Sequence, residues 1–192
     1  MSAAEVAELL SRREGHFALE SGHHGELWLD LETLCLRPEP VRELAVELAA
    51  RLTPHRVEAV CGPLVEGAFV GLFLAAELGV PFAYSERGLD ASDSLFPARY
   101  AVPRALRREL AGKRVAIAND VVNAGSAVRA TLADLRALGA EPIAIATLAV
   151  LGKKAAELAA SENVALESLA EFPNEIYEPA QCPQCARGIP LE

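Results

Sequence analysis

Asn119-Asp120, followed by Asn123-Ala124-Gly125-Ser126-Ala127, are the residues of this chain whose types and spacing best suit chemistry. The Asp120 carboxylate can accept hydrogen bonds from sugar hydroxyls. A turn of small residues that runs into a helix offers unpaired backbone N–H groups and the positive end of a dipole. Its lack of bulk lets an anion approach those donors closely. Carboxylate, small turn and helix start, in that order, suit a phosphorylated sugar. A second turn of the same kind, Cys61 to Ala68 (CGPLVEGA), carries Glu66. Neither turn has the glycine spacing or lysine of a nucleotide-binding loop. On spacing alone the pair also fits two ordinary strand-to-helix turns.

The elements that must position these residues read as alternating strands and helices. Val115–Ala118 is a buried strand before Asn119, and an amphipathic helix follows to Gly139. Val57–Cys61 reads as a strand, Glu66–Leu78 as a helix ended by Gly79, and Val80–Tyr84 as a strand. Glu141–Leu151 is almost wholly apolar, as a strand inside a parallel sheet should be. A short helix over 152–161 and an edge strand over 164–172 complete the alternation. At the N-terminus, residues 3–13 predict a helix ended by Gly15. Runs over 16–20 and 26–31 around a glycine-containing turn predict a hairpin. Pro38 and Pro40 open a helix to Leu52. Residues 85–103 read as a long flap with a strand near 99–102. The expected fold is α/β, an open, mostly parallel sheet flanked by helices and preceded by a small hood. The expected division is hood 1–36, core 37–172 and an irregular tail 173–192.

The 192 residues carry a net charge of −9, which argues against nucleic-acid or anionic-membrane partners. No apolar run reaches the length of a membrane span, and the acidic amphipathic start is unlike a secretory signal. A cytoplasmic protein is expected. Of the four cysteines, Cys35 and Cys61 sit in apolar contexts and read as core. Cys182-Pro-Gln-Cys185 is half of a tetrahedral zinc site without a nearby second pair. The favoured reading is a turn of reduced thiols; zinc would need histidines from elsewhere or from another subunit. His23-His24 reads as a solvated turn rather than as metal ligands or bases, because adjacent strand residues point to opposite faces. No other metal ligand is assigned.

The stretch VAIANDVVNAGSA resembles the ribose-phosphate signature of type I phosphoribosyltransferases. GHFALESGHH followed by ELWLD resembles the hood of the orotate enzymes among them, GPLVEGA their pyrophosphate loop, and CPQCARGIPL the end of some bacterial and archaeal members. The resemblance implies transfer of phosphoribose from phosphoribosyl pyrophosphate to a nucleobase, orotate first, with Mg2+ and in a homodimer. It implies that Asn123, Ala124, Gly125, Ser126 and Ala127 hold the 5′-phosphate and that Asp120 holds ribose hydroxyls. Leu64, Val65, Glu66 and Gly67 would face pyrophosphate, and Trp28 the base. Arg87 and Arg99 would be the cations of the flap.

Several positions depart from the family pattern. Asn119 replaces the first acidic residue of the pair, Glu66 stands where some members carry lysine or glycine, and Glu20 where many have lysine. The flap lacks the Lys-His-Gly pattern. Lys153 is only a partial substitute for the arginine that pairs with the orotate carboxylate. These changes leave open a catalytically impaired protein that binds nucleotide or ribose phosphate in a regulatory role, or a transferase for another base.

Overall fold

A computed structural model describes residues 3–19, 22–88 and 100–192. The chain begins with α1 (Ala3–Leu9) and the hairpin β1 (Arg13–Ala18) and β2 (His24–Trp28), then a 3-10 turn over Leu31–Leu36 and α2 (Pro38–Leu52). The core continues with β3 (Ala59–Pro63), α3 (Glu66–Leu78), β4 (Phe82–Arg87), β5 (Tyr100–Ala101), α4 (Arg107–Leu110), β6 (Arg114–Val122) and α5 (Ser126–Ala137). It closes with β7 (Glu141–Leu151), α6 (Lys154–Glu162), β8 (Ala165–Phe172), β9 (Ile176–Tyr177) and α7 (Pro183–Ala186).

The main sheet has six strands in the order β5-β4-β3-β6-β7-β8, parallel except for the two-residue edge strand β5. From β3 the chain winds outward to β4, then crosses to the other side of β3 and winds through β6, β7 and β8. The direction reverses between β3 and β6, so the carboxyl ends of those strands open a crevice where ligands bind in doubly wound sheets.

Alternation along the strands packs both faces. Val115 and Ile117 of β6 join Leu132, Leu135 and Leu158 of α5 and α6, while Ala116 and Ala118 face α2 and α3. The small residues on this second face let α3 sit close: a side-chain carbon on Gly71 would lie 3.3 Å from the Ala118 Cβ. Burying each such leucine is worth roughly 1.5–3 kcal/mol. Among the described residues no helix is long and apolar enough to cross a membrane.

The expected α/β fold with a hairpin hood holds, with three differences. First, α1 stops at Leu9 and the turn falls at Ser11, which has a positive φ of 48°; Gly15 lies inside β1. A side-chain carbon on Gly15 would meet the Phe17 ring and the Glu192 carboxylate at 2.8 Å, so this glycine permits packing rather than ending a helix. Second, β6 does not end before Asn119: Val121 and Val122 still pair with Ala149 and Val150 of β7. Third, the tail is not irregular. Its β9 pairs with β2, making the hood a three-stranded sheet, β1-β2-β9.

Candidate active site

The carboxyl ends of β3 and β6 and the underside of the hood enclose a cleft of about 540 Å³. Its floor joins the two turns singled out in the sequence. From β3 come Leu64, Val65, Glu66 and Gly67, with the Leu64–Val65 peptide cis. From β6 come Asn119 and Asp120, then Asn123, Ala124, Gly125, Ser126 and Ala127 at the start of α5. Trp28 enters from β2. It stacks at a tilt on Phe17, ring centroids 5.7 Å apart, which fixes its orientation.

The turn before α5 is built by Gly125, which has a φ of 75°. A side-chain carbon there would be strained and would lie 2.7 Å from Leu158. Gly125 also starts the helix, its carbonyl accepting from the Arg129 N–H at 2.8 Å. The first turn of α5 contains no acidic residue, so the N–H groups and positive dipole end at Ser126 and Ala127 are unopposed by local charge.

The two turns touch. A side-chain carbon on Gly67 would lie 2.3 Å from the Asn119 Oδ1, so only glycine allows α3 to begin against β6. The Asn119 Nδ2 donates to the Val121 carbonyl at 2.7 Å. A carboxylate at that position would have no proton to donate and would face the carbonyl oxygen. Asn119 therefore ties its side chain back to its own strand, packs where α3 begins at Gly67 and lines the cleft.

Asp120 is 5% exposed. Burial pushes its carboxyl up from 3.8 to about 7, and the Glu66 charge adds to the rise; backbone N–H groups of Val121 and Asp120 itself pull the other way. The Asp120 carbonyl is held by the Thr147 hydroxyl at 2.9 Å. The same two carboxylates raise the half-buried Cys35 thiol, after desolvation. Acidic character extends to the cleft wall through Asp30 and Glu32.

Not every expected residue arrives. Lys153 is exposed at the start of α6 and does not line the cleft; Gly152, with a φ of 65°, turns the chain away after Leu151, which does. Arg87 is exposed at the end of β4, paired in register with Tyr100. Arg99, Glu20 and most of the flap lie outside the described residues. Tyr100, Asp30 and Glu32 line the cleft and were not singled out in the sequence. Asp30 had a signal, two positions after Trp28 in ELWLD; Tyr100 fell in the strand expected near 99–102, with nothing to show that it reaches the cleft.

The expectation for the cysteines and histidines also changes. Cys61 is buried and Cys35 half-buried, near the core positions expected. His23 and His24 do point to opposite sides, His23 reaching Glu178 at 2.9 Å. His24, however, is 8% exposed rather than solvated, because β9 covers that side of β2.

A fold of this order, with its crevice at the reversal between two strand-to-helix turns, is that of a doubly wound α/β protein. Residues 38–179 match the phosphoribosyl transferase domain family, and the chain belongs to that family. Its sequence relatives include the orotate phosphoribosyltransferase of Nitratiruptor sp., 32% identical over 91% of this chain and 88% of that protein. The orotate phosphoribosyltransferase of Caldanaerobacter subterraneus is 28% identical over 100% of this chain and 96% of its own. Among solved structures, the orotate phosphoribosyltransferase of Aeropyrum pernix superposes with a TM-score of 0.69 at 24% identity, covering 90% of this chain and 94% of that one. The adenine enzyme of Giardia lamblia gives 0.70 at 19% identity, covering 90% of this chain and 98% of its own, which shows that the fold alone does not choose the base.

Proposed function

We propose that this chain is an orotate phosphoribosyltransferase, forming orotidine 5′-monophosphate and pyrophosphate from orotate and phosphoribosyl pyrophosphate in pyrimidine nucleotide synthesis in the cytoplasm. The observation that carries the reading is the convergence of both turns on one cleft at the sheet's reversal, in a chain whose full-length relatives bear that name. In this reading the N–H groups of residues 124–127 and the Ser126 hydroxyl hold the 5′-phosphate. Asp120, with Asn119 beside it, accepts from ribose hydroxyls, and residues 64–67 face the pyrophosphate. Trp28 stacks on the base, and Arg87 and Arg99 supply positive charge from the flap. The work is orientation and charge stabilisation around an anomeric carbon that loses pyrophosphate as the base nitrogen attacks.

The carboxylates of Glu66 and Asp120 are hard oxygen donors suited to Mg2+. They would hold it beside the substrate, where it would neutralise charge on the departing pyrophosphate. Val65, Phe69 and Leu72 expose apolar surface at and near the start of α3, which supports a homodimer formed on that face.

The test is orotate consumption coupled to pyrophosphate release in equal amounts, dependent on magnesium and abolished by a chelator. One observation favours a second reading, a nucleotide-binding protein impaired in transfer: the Asn119 amide is committed to Val121 where a second carboxylate would serve the ribose. Folded protein that binds a nucleoside monophosphate yet turns over neither orotate nor another base would establish it.

A further inference from the structure

Outside the cleft, four side chains of metal-ligand type meet under the hood: His16, His24, Cys182 and Cys185, whose ligand atoms all lie within 4.8 Å of one another. The His16 Nε2 is 3.2 Å from the His24 Nδ1, 3.3 Å from the Cys182 Sγ and 3.7 Å from the Cys185 Sγ. The Cys185 Sγ is 3.2 Å from the His24 Nδ1. In a tetrahedral zinc site with bonds of about 2.0–2.3 Å, neighbouring ligand atoms stand roughly 3.3–3.8 Å apart. The cluster already has nearly that spacing. One lone pair on His16 Nε2 cannot serve three neighbours, whereas a cation at the centre satisfies all four groups.

The surroundings orient the ligands. The His16 Nδ1 lies 2.8 Å from the Ile189 carbonyl, so it carries the proton and leaves Nε2 with its lone pair toward the cluster. The His16 carbonyl accepts from the Glu192 N–H at 2.8 Å, and the Gln184 Nε2 donates to the Gly15 carbonyl at 3.2 Å. A break in the β1–β2 register between Glu14 and Phe17 brings His16 inward, and the pairing of His24 with Tyr177 leads the chain back to Cys182. Three of the four ligands are buried.

We propose that His16, His24, Cys182 and Cys185 form a structural zinc site that fastens the C-terminal tail to the hood. Two thiolates and two imidazoles in a closed tetrahedral set select zinc over the hard cations that suit the cleft. The clip has a purpose in the fold: a three-stranded hood of short strands has little core of its own, and a metal supplies what burial cannot. Strand β2 carries His24 at one end and Trp28 at the other, so fixing the tail also fixes the cleft's roof.

The test uses the full chain, purified with its thiols reduced. Metal analysis should find about one zinc per chain, and Co2+ in its place should give the intense visible bands and thiolate charge transfer of tetrahedral cobalt. Cys185→Ser and His24→Ala should each weaken Co2+ binding by 100-fold or more, beyond the roughly 10–100-fold typical of outer-shell changes. The control His55→Gln should leave it unchanged. Stripping the metal should lower the melting temperature by roughly 5–10 °C. Less than about 0.1 metal per chain in folded, reduced protein, or an octahedral cobalt spectrum, would overturn the proposal. The cobalt spectrum of the unaltered protein decides even where a variant fails to fold, and none of these readouts depends on transferase activity.

Discussion

The two turns that meet in the cleft share a strand-to-helix plan but differ in build and in charge. The turn before α5 is opened by Gly125 and has no acid in the helix's first turn, so its N–H groups can receive a phosphate directly. The turn before α3 puts Glu66 at the helix start, where the dipole stabilises the carboxylate itself. An anion arriving at the first finds donors; at the second it finds a charge already in place. In the proposed reading the first turn takes a phosphate without the help of a metal, whereas the second would face pyrophosphate only through a cation. Asp120 sits between them and registers the difference, its carboxyl raised by burial and then by Glu66.

The contrast breaks most severely at the contact between the turns. Gly67→Ala places a carbon 2.3 Å from the Asn119 Oδ1. Asn119 must swing away and lose its bond to Val121, or α3 must retreat from β6. A displacement of about 1 Å at a positioning element costs on the order of 100-fold in rate. We expect kcat/KM to fall by about that factor, while binding of inorganic phosphate at the α5 turn changes little. Steady-state kinetics beside phosphate calorimetry separates the two, and equal loss of both would mean the turns act as one unit.

Next in size is Asp120→Asn. Between about pH 4 and 7 the native carboxyl keeps a proton that the unfolded chain has lost, so stability falls as pH rises through that window. Below it both states are protonated; above it the full cost of the buried charge is present. Removing the charge should leave stability near pH 4 almost unchanged and raise it at pH 8 by roughly 4 kcal/mol, read from denaturant unfolding at both pH values. In the parent protein, affinity for phosphoribosyl pyrophosphate should rise through about pH 7 as Asp120 ionises. The variant should lose that dependence and roughly 10–100-fold in affinity, the worth of a charge-assisted hydrogen bond.

Those residues were legible because their geometry is local. Strand, turn and helix over 114–137 follow in one stretch, and the apolar run 141–151 marks a central strand by itself. The close approach of Gly67 to Asn119 was not legible, since Asn119 read only as a lost carboxylate; its use as a donor depends on the Val121 carbonyl within β6. The His/Cys cluster was legible only by halves. Cys182 and His16 stand 166 positions apart and meet because a two-residue strand, β9, pairs with β2. So short a strand carries no periodicity, and without it the tail reads as irregular and His24 as exposed. Lys153 failed for a similar reason: one left-handed glycine at 152 decides whether the side chain enters the cleft.

The smallest change sharpens the comparison most directly. Glu66→Gln keeps the shape of the α3 turn and makes its charge resemble that of the α5 turn. Losing the favourable helix-start charge should cost roughly 0.3–1 kcal/mol of stability. Asp120 should then ionise more readily, because the second cause of its raised carboxyl is gone while the burial remains. The pH profile of substrate binding should move toward acid by a fraction of a unit. Pyrophosphate should also bind several-fold more tightly without magnesium, since repulsion of about 1 kcal/mol or more between carboxylate and anion has been removed. Calorimetry with pyrophosphate, with and without the metal, measures this. Unchanged binding without magnesium together with weaker binding in its presence would mean that Glu66 acts on the bound cation rather than on the anion, and that the two turns differ in shape more than in charge.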